Sequence, residues 1–191
     1  MATRDVIEVH ADAMRACDDV VHRLGGNWNA PTPCTEWTVR DLLNHLTGEQ
    51  LWAPHLLRGA TLDEVGDRFD GDVLGDDPVA TWERAAAEAR EAFAAPGATG
   101  GTVHVSAGTI DTVDYAWQMT CDLAVHGWDL AVAVGAPQPI PDRVAAELLE
   151  VFEPQVPRWQ GIGIVAPPVP VDPGADAPTR LVALLGRRPT V

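Results

Sequence analysis

At 191 residues the chain has the length of one domain and can bury a sizeable core. Apolar residues make up 46% and charged residues 21%, an ordinary balance for a soluble globular protein, and no run approaches the roughly 18 apolar residues of a membrane-spanning helix. The formal net charge is -15, from 28 acidic and 13 basic residues. A surface of that sign repels phosphate backbones and anionic lipid, which argues against nucleic-acid and membrane partners.

Every basic residue is Arg, so Schiff-base and Lys general-base chemistry are excluded. Together with abundant Ala, Gly and Pro, this composition fits a GC-rich, actinobacterial genome. Met1 to His10 mixes charges of both signs without an apolar core, so no signal peptide is expected and the cytoplasm is the default compartment. Cys17, Cys34 and Cys121 are odd in number and lack CxxC spacing, which fits reduced thiols better than a disulfide framework or a cysteine zinc site.

The periodicity of Val6, Val9, Ala13, Ala16, Val20 and Leu24 predicts an amphipathic helix over 4–24, ended by Gly25 and Gly26. A proline-punctuated loop runs from there through Cys34. Thr38 with Asp41 three residues on marks the N-terminus of a second helix, which carries Leu42, Leu43, His45, Leu46 and Leu51 towards Leu57, with Pro54 expected to kink or shorten it. Residues 60–76, rich in Gly and Asp, read as an exposed loop. Asp77-Pro78 opens a third, Ala-rich helix reaching Phe93, and 100–108 is the one β-like stretch, long enough for a short strand. The most apolar helix runs from Thr112 to Val134 and stops at Gly135; another spans 141–152. The rest is Pro-rich and extended up to a short helix over 178–185. The layout is all-α, with no repeat and no linker to divide it: a single domain over 1–191.

Asp122 and His126 lie four apart on that apolar helix, so both project from one face with Cβ atoms about 5–6 Å apart, as two ligands of one ion must. A carboxylate among Ala124, Val125 and Leu130 needs a partner. The alternative is that Asp122 only orients His126 or pairs with an Arg. His45 sits among the core-facing leucines of the second helix, where a packed, hydrogen-bonded His is common; helix bundles, however, build metal sites from inward residues on facing helices. Two imidazoles and one carboxylate suit zinc, nickel or iron(II), and three protein ligands leave positions open, the pattern of a catalytic site.

The stretch Pro31-Thr32-Pro33-Cys34-Thr35-Glu36-Trp37, running on through Val39-Arg40-Asp41-Leu42-Leu43-Asn44-His45, resembles the start of the second helix in actinobacterial DinB-like proteins. Asp122 through Ala131 resembles their second metal motif, and the tail from Pro167 to Val171 and from Leu181 to Pro189 is similar to the same group. That group is similar to the N-terminal domain of mycothiol-dependent maleylpyruvate isomerase. The resemblance implies a DinB-like four-helix bundle with extra short helices and a Pro-rich C-terminal tail. It also implies one divalent metal held by His45, Asp122 and His126. The isomerase pattern has Glu where this chain has Asp122; a side chain shorter by one methylene calls for a closer helix, a longer bond or a bridging water. The isomerase also carries a C-terminal substrate-binding domain, not expected beyond Val191.

Other residues read more plainly. Glu49, one turn after His45, is a candidate additional ligand or base, with a solvated or capping role preferred. Asp129 is placed to orient a ring or pair with an Arg. Trp37, Trp52 and Trp128 read as core packing. Cys34, before a helix N-terminus, is a candidate for a lowered thiol pKa, with a bystander thiol preferred. His10, His22, His55 and His104 lack ligand-spaced partners and read as surface or structural.

The implied function is a metal-dependent enzyme whose ion, with zinc first and nickel or iron as alternatives, binds the thiol of mycothiol. The resulting thiolate attacks an electrophilic small molecule in S-transfer or isomerisation. A non-catalytic metal-binding or stress protein and a metal-dependent hydrolase are the alternatives. Expected partners are a small-molecule thiol and an electrophilic substrate, with a homodimer left open and nucleic acid and membrane excluded.

Overall fold

The computed structural model describes residues 5–161 and 165–189, so the predicted helix start at Arg4 lies outside the described residues. Helix α1 (Val6–Val21) begins where the Asp5 carboxylate accepts the Ile7 N–H at 3.0 Å. It ends three residues before the predicted Leu24, although Leu24 is still fully buried. Helix α2 (Val39–Leu57) opens on the expected capping box. The Thr38 hydroxyl accepts the Asp41 N–H, and the Asp41 carboxylate accepts the Thr38 N–H at 2.9 Å. Pro54 lies inside α2 without shortening it, since the helix continues to Leu57.

The predicted 60–76 loop contains one helical turn, α3 (Leu62–Val65), nucleated by a second capping box of Thr61 and Glu64. The later part of this loop is pinned to α2. The Asn44 side chain accepts the Val73 N–H and donates to the Gly71 carbonyl, both at 2.8 Å, while Arg40 reaches Asp72 at 2.7 Å. Helix α4 (Pro78–Ala94) starts from the Asp77 cap.

The helical layout holds, and between α4 and the next helix the β-like stretch gains a partner. Strands β1 (Thr102–Val105) and β2 (Gly108–Asp111) form an antiparallel hairpin, pairing Thr102 with Asp111 and Val105 with Gly108. The chain supplies a partner strand immediately after the β-like stretch, so the lone predicted strand gains its hydrogen bonds locally. The protein is therefore mostly helical with a small two-stranded sheet. Helix α5 (Thr112–Val134) starts directly after β2 and ends at Gly135, left-handed at φ 66°. Helix α6 (Asp142–Phe152) matches its predicted span. Helix α7 (Val156–Gly161) forms in a stretch read as extended, and α8 (Ala177–Leu184) falls one residue earlier than predicted.

Helix α5 packs on α1 and beside α2, while α4 covers α2 and touches α1; α6 and α8 pack together at the α1–α5 end of this core. Close approach of α1 and α5 passes through Gly127, where an added Cβ would sit 3.5 Å from the Cα and Cβ of Cys17. Trp82, Phe152, Met14 and nine leucines, among them Leu42, Leu43, Leu46, Leu123 and Leu130, are sealed from solvent. At about 1.5–3 kcal/mol for each such side chain, these residues are a principal source of the fold's stability. Among the described residues, no helix is long and apolar enough to cross a membrane.

Candidate metal centre

The three sequence-predicted ligands meet where α2 lies alongside α5. Asp122 and His126 stand one turn apart on α5, and His45 approaches from α2. His45 Nε2 lies 3.2 Å from Asp122 Oδ2, and His126 Nε2 lies 3.3 Å from Asp122 Oδ1. The two imidazole rings are edge to face, with centroids 5.3 Å apart at 81°. One donor atom from each of the three residues lies within 4.8 Å of the other two.

These distances test the fit to a metal. A charged imidazolium–carboxylate bond normally closes to about 2.7–2.9 Å. Ligands at about 2.0–2.1 Å from a tetrahedral ion are separated by roughly 3.3 Å, the edge of that tetrahedron. One oxygen, Asp122 Oδ1, lies 3.3 Å from His126 Nε2 and 3.4 Å from His45 Nε2, close to the second spacing, so this donor set could hold a divalent ion of zinc size.

Behind His126 lies a support that the residue pattern only hints at. His126 Nδ1 is 3.0 Å from Asp129 Oδ2, so its proton on that nitrogen is held and Nε2 is left to face Asp122. Asp129 is 0% exposed, and its charge is met by Arg187, whose Nη2 donates to Oδ2 at 3.0 Å and Nε to Oδ1 at 3.4 Å. Arg187 reaches this point because Gly186 turns the chain at φ 83°, close against Ala166: a Cβ there would stand 2.6 Å from the Ala166 Cβ.

This stacking sets the electrostatics. Burial opposes charge on His126, but the charge and hydrogen bond of Asp122, with those of Asp129, raise its pKa to about 9. Burial likewise opposes charge on His45, and Asp122 outweighs it and moves that pKa up. Burial pushes Asp122 upward, yet His126 and His45 hold it well below the usual carboxylate range. Without a metal, the cluster is a carboxylate clasped between two protonating imidazoles.

At the margin of the cluster several expectations are corrected. Glu49 is half-buried rather than solvated; burial, then the charge of Asp122, raises its pKa, while His45 and His126 pull the other way. Trp37 is not core: it is 36% exposed and lies over the cluster, its ring 5.0 Å from His45 and 6.1 Å from His126. Trp128 is buried. Cys34 offers its sulfur within 4.8 Å of donor atoms on His126 and Asp129. Its thiol pKa is pushed up, by burial first and then by Asp129, against any lowering at the helix N-terminus. Cys121 is pushed up to about 12, again by burial first. His10 is buried against Phe93 at 4.2 Å, with burial lowering its pKa to about 4, whereas His22 pairs with Glu83 at 2.8 Å and His104 with Thr109 at 3.1 Å.

The profile of the mycothiol maleylpyruvate isomerase N-terminal domain matches residues 10–131. The chain belongs to that family. All three candidate ligands and Asp129 fall inside the matched span of the mycothiol maleylpyruvate isomerase N-terminal domain, and Arg187 falls outside it. Two uncharacterized proteins of Mycobacterium tuberculosis, from strains CDC 1551 / Oshkosh and ATCC 25618 / H37Rv, are each 36% identical to the chain over 174 residues. The alignment covers 86% of this chain and 85% of each relative. No solved structure matches the chain.

Proposed function

We propose that this member of the mycothiol maleylpyruvate isomerase N-terminal domain family is a four-helix-bundle protein of the DinB type that binds one divalent metal. It uses a small-molecule thiol such as mycothiol against an electrophilic substrate, as a transferase or isomerase. His45, Asp122 and His126 would hold the ion, zinc first with nickel or iron(II) as alternatives. The observation that carries this reading is the 3.2 and 3.3 Å spacing of both Nε2 atoms from one carboxylate. When bound, the ion supplies a Lewis acid that lowers the pKa of a thiol, so that thiolate is available at neutral pH.

The protein's own residues support that chemistry in separate ways. Asp129 keeps the His126 proton on Nδ1, and Arg187 pairs with Asp129 in a position with no exposure to water. The chain's cysteines are poor thiolate donors: burial pushes the thiol pKa up at Cys17, Cys34 and Cys121 alike. With no Lys in the sequence either, the nucleophile is best supplied from outside the chain. Three protein donors leave room for it.

The test is turnover of 1-chloro-2,4-dinitrobenzene or monobromobimane by zinc-loaded protein with purified mycothiol. Thiol-dependent turnover that falls to background in Asp122→Asn and His126→Ala is expected. Stoichiometric zinc with no thiol-dependent turnover across an electrophile panel would overturn the catalytic reading and leave metal binding alone.

A further inference from the structure

Glu49 is the carboxylate beside the metal centre that nothing in the fold employs. It follows His45 by one turn of α2, so the two side chains leave the helix on the same face. It is half-buried, yet among the described residues no hydrogen bond or ion pair reaches it. The other carboxylates of the centre are engaged: Asp122 lies against both histidines, and Asp129 is sealed between His126 and Arg187. A carboxylate that gives up part of its hydration without gaining a partner calls for an explanation, and a reacting role is one.

Glu49 stands outside the set of donor atoms that lie within 4.8 Å of one another at His45, Asp122 and His126. Its charge is nevertheless felt there: Glu49 favours the charged form of His45, and Asp122, His45 and His126 all act on Glu49 in turn. Tyr115, two turns before Asp122 on α5, fixes its place further. The Tyr115 hydroxyl is buried and has no hydrogen-bond partner, and after burial itself Glu49 is the group that bears on it most, ahead of Asp122. Glu49 therefore sits one turn off the metal cluster on its Tyr115 side. The titratable groups that face it are His45 from its own helix and Asp122, His126 and Tyr115 from α5; no charged group of α4 bears on it.

We infer that Glu49 is the proton acceptor of the site, taking the proton of a small-molecule thiol as its sulfur enters the position that His45, Asp122 and His126 leave open. The inference rests on the proposed metal–thiol reading. The S–H bond breaks, its electron pair stays on the sulfur, and the proton passes to a Glu49 oxygen. Because Glu49 is only half-buried, that proton leaves to solvent once the sulfur has been consumed, and no oxidant or reductant is needed. His126 cannot take this part, since its Nδ1 proton is held by Asp129 and its Nε2 faces Asp122.

The experiment is stopped-flow mixing of cobalt(II)-loaded protein with N-acetylcysteine, with no electrophile present, following the thiolate-to-cobalt charge-transfer band across neutral and mildly alkaline pH. Cobalt content and thermal midpoint are measured on wild type, Glu49→Gln and Glu49→Asp. Glu49→Gln should keep its cobalt and form the band about 10²- to 10⁴-fold more slowly at neutral pH, the range of a general base. Its rate should climb about tenfold per pH unit up to the thiol's own pKa, where thiolate arrives preformed, while the wild type climbs less steeply. Glu49→Asp, which keeps a carboxylate, should retain the wild-type pH dependence at a lower rate. Equal rates in wild type and Glu49→Gln, or loss of cobalt in Glu49→Gln, would overturn the inference and leave the metal–thiol reading standing. No band in cobalt-loaded wild type would overturn both.

Discussion

Replacement of Arg187 by Met removes the cation that faces Asp129 and keeps most of the side-chain volume. Asp129 is 0% exposed and the Arg187 side chain is 15% exposed, so the pair is screened by little water. Burial works against the Arg187 charge, and Asp129 more than repays it, raising the guanidinium pKa. Breaking a buried pair by removing one partner costs about 3–5 kcal/mol, because the remaining charge is left without compensation. His126 still meets one Asp129 oxygen at 3.0 Å, which argues for the lower end, about 3 kcal/mol. For a chain of this size that is about 6–12 °C in thermal midpoint. Arg187→Met should therefore unfold at visibly lower urea and temperature, and its metal affinity should fall about 10- to 100-fold as the support behind His126 is lost. The double variant Asp129→Asn/Arg187→Met should recover much of the stability, since no charge is then stranded. A loss below about 1 kcal/mol in Arg187→Met, the scale of an exposed pair, would refute this account of the Asp129 support.

Metal affinity should rise with pH. With its pKa raised from 6.5 to about 9, His126 carries a second ring proton at lower pH that the ion must displace, so apparent affinity should climb by up to tenfold per pH unit towards 9 and flatten above it. Titrations with a competing chelator from pH 6 to about 10 would read this, and a flat profile would contradict it. The sign reverses for the metal-free protein: a raised histidine pKa contributes stability that is complete below 6.5 and is lost as pH rises through about 9, measurable as a falling urea midpoint. Gly186→Val should cost more than about 1 kcal/mol, because φ 83° disfavours a branched residue and its Cβ would meet Ala166, and metal affinity should fall with it as Arg187 shifts. Thr38→Ala removes one side of the α2 capping box and should cost about 1 kcal/mol by urea unfolding while leaving metal stoichiometry unchanged.

Local signals in the sequence carry most of the helical layout. Thr38 and Asp41 mark the start of α2, and Gly135 marks the end of α5, because these residue types satisfy specific backbone groups at helix ends. The same pairing of Thr61 with Glu64 marks α3, but Gly and Asp on either side mask a helix of four residues. The hairpin is hidden because 100–108 shows alternation in one strand only; its partner, Gly108–Asp111, is too short to reveal a period. At the site, the i, i+4 spacing of Asp122 and His126 is a local property of α5 and can be read directly. Arg187 lies 58 residues from Asp129, and only the turn at Gly186 brings it home. Glu49 and Trp37 are illegible for a related reason. Which side of α2 is covered depends on where α5 packs, and the exposure of Trp37 depends on the strained turn at Glu36, neither of which leaves a periodic trace.

The central claim is that His45, Asp122 and His126 hold one divalent ion, and elemental analysis of protein purified without an affinity tag tests it most directly. The account predicts close to one metal per chain, abolished in His126→Ala and retained in His104→Ala, whose ring faces Thr109 in the hairpin. Full metal occupancy in folded His126→Ala would contradict it.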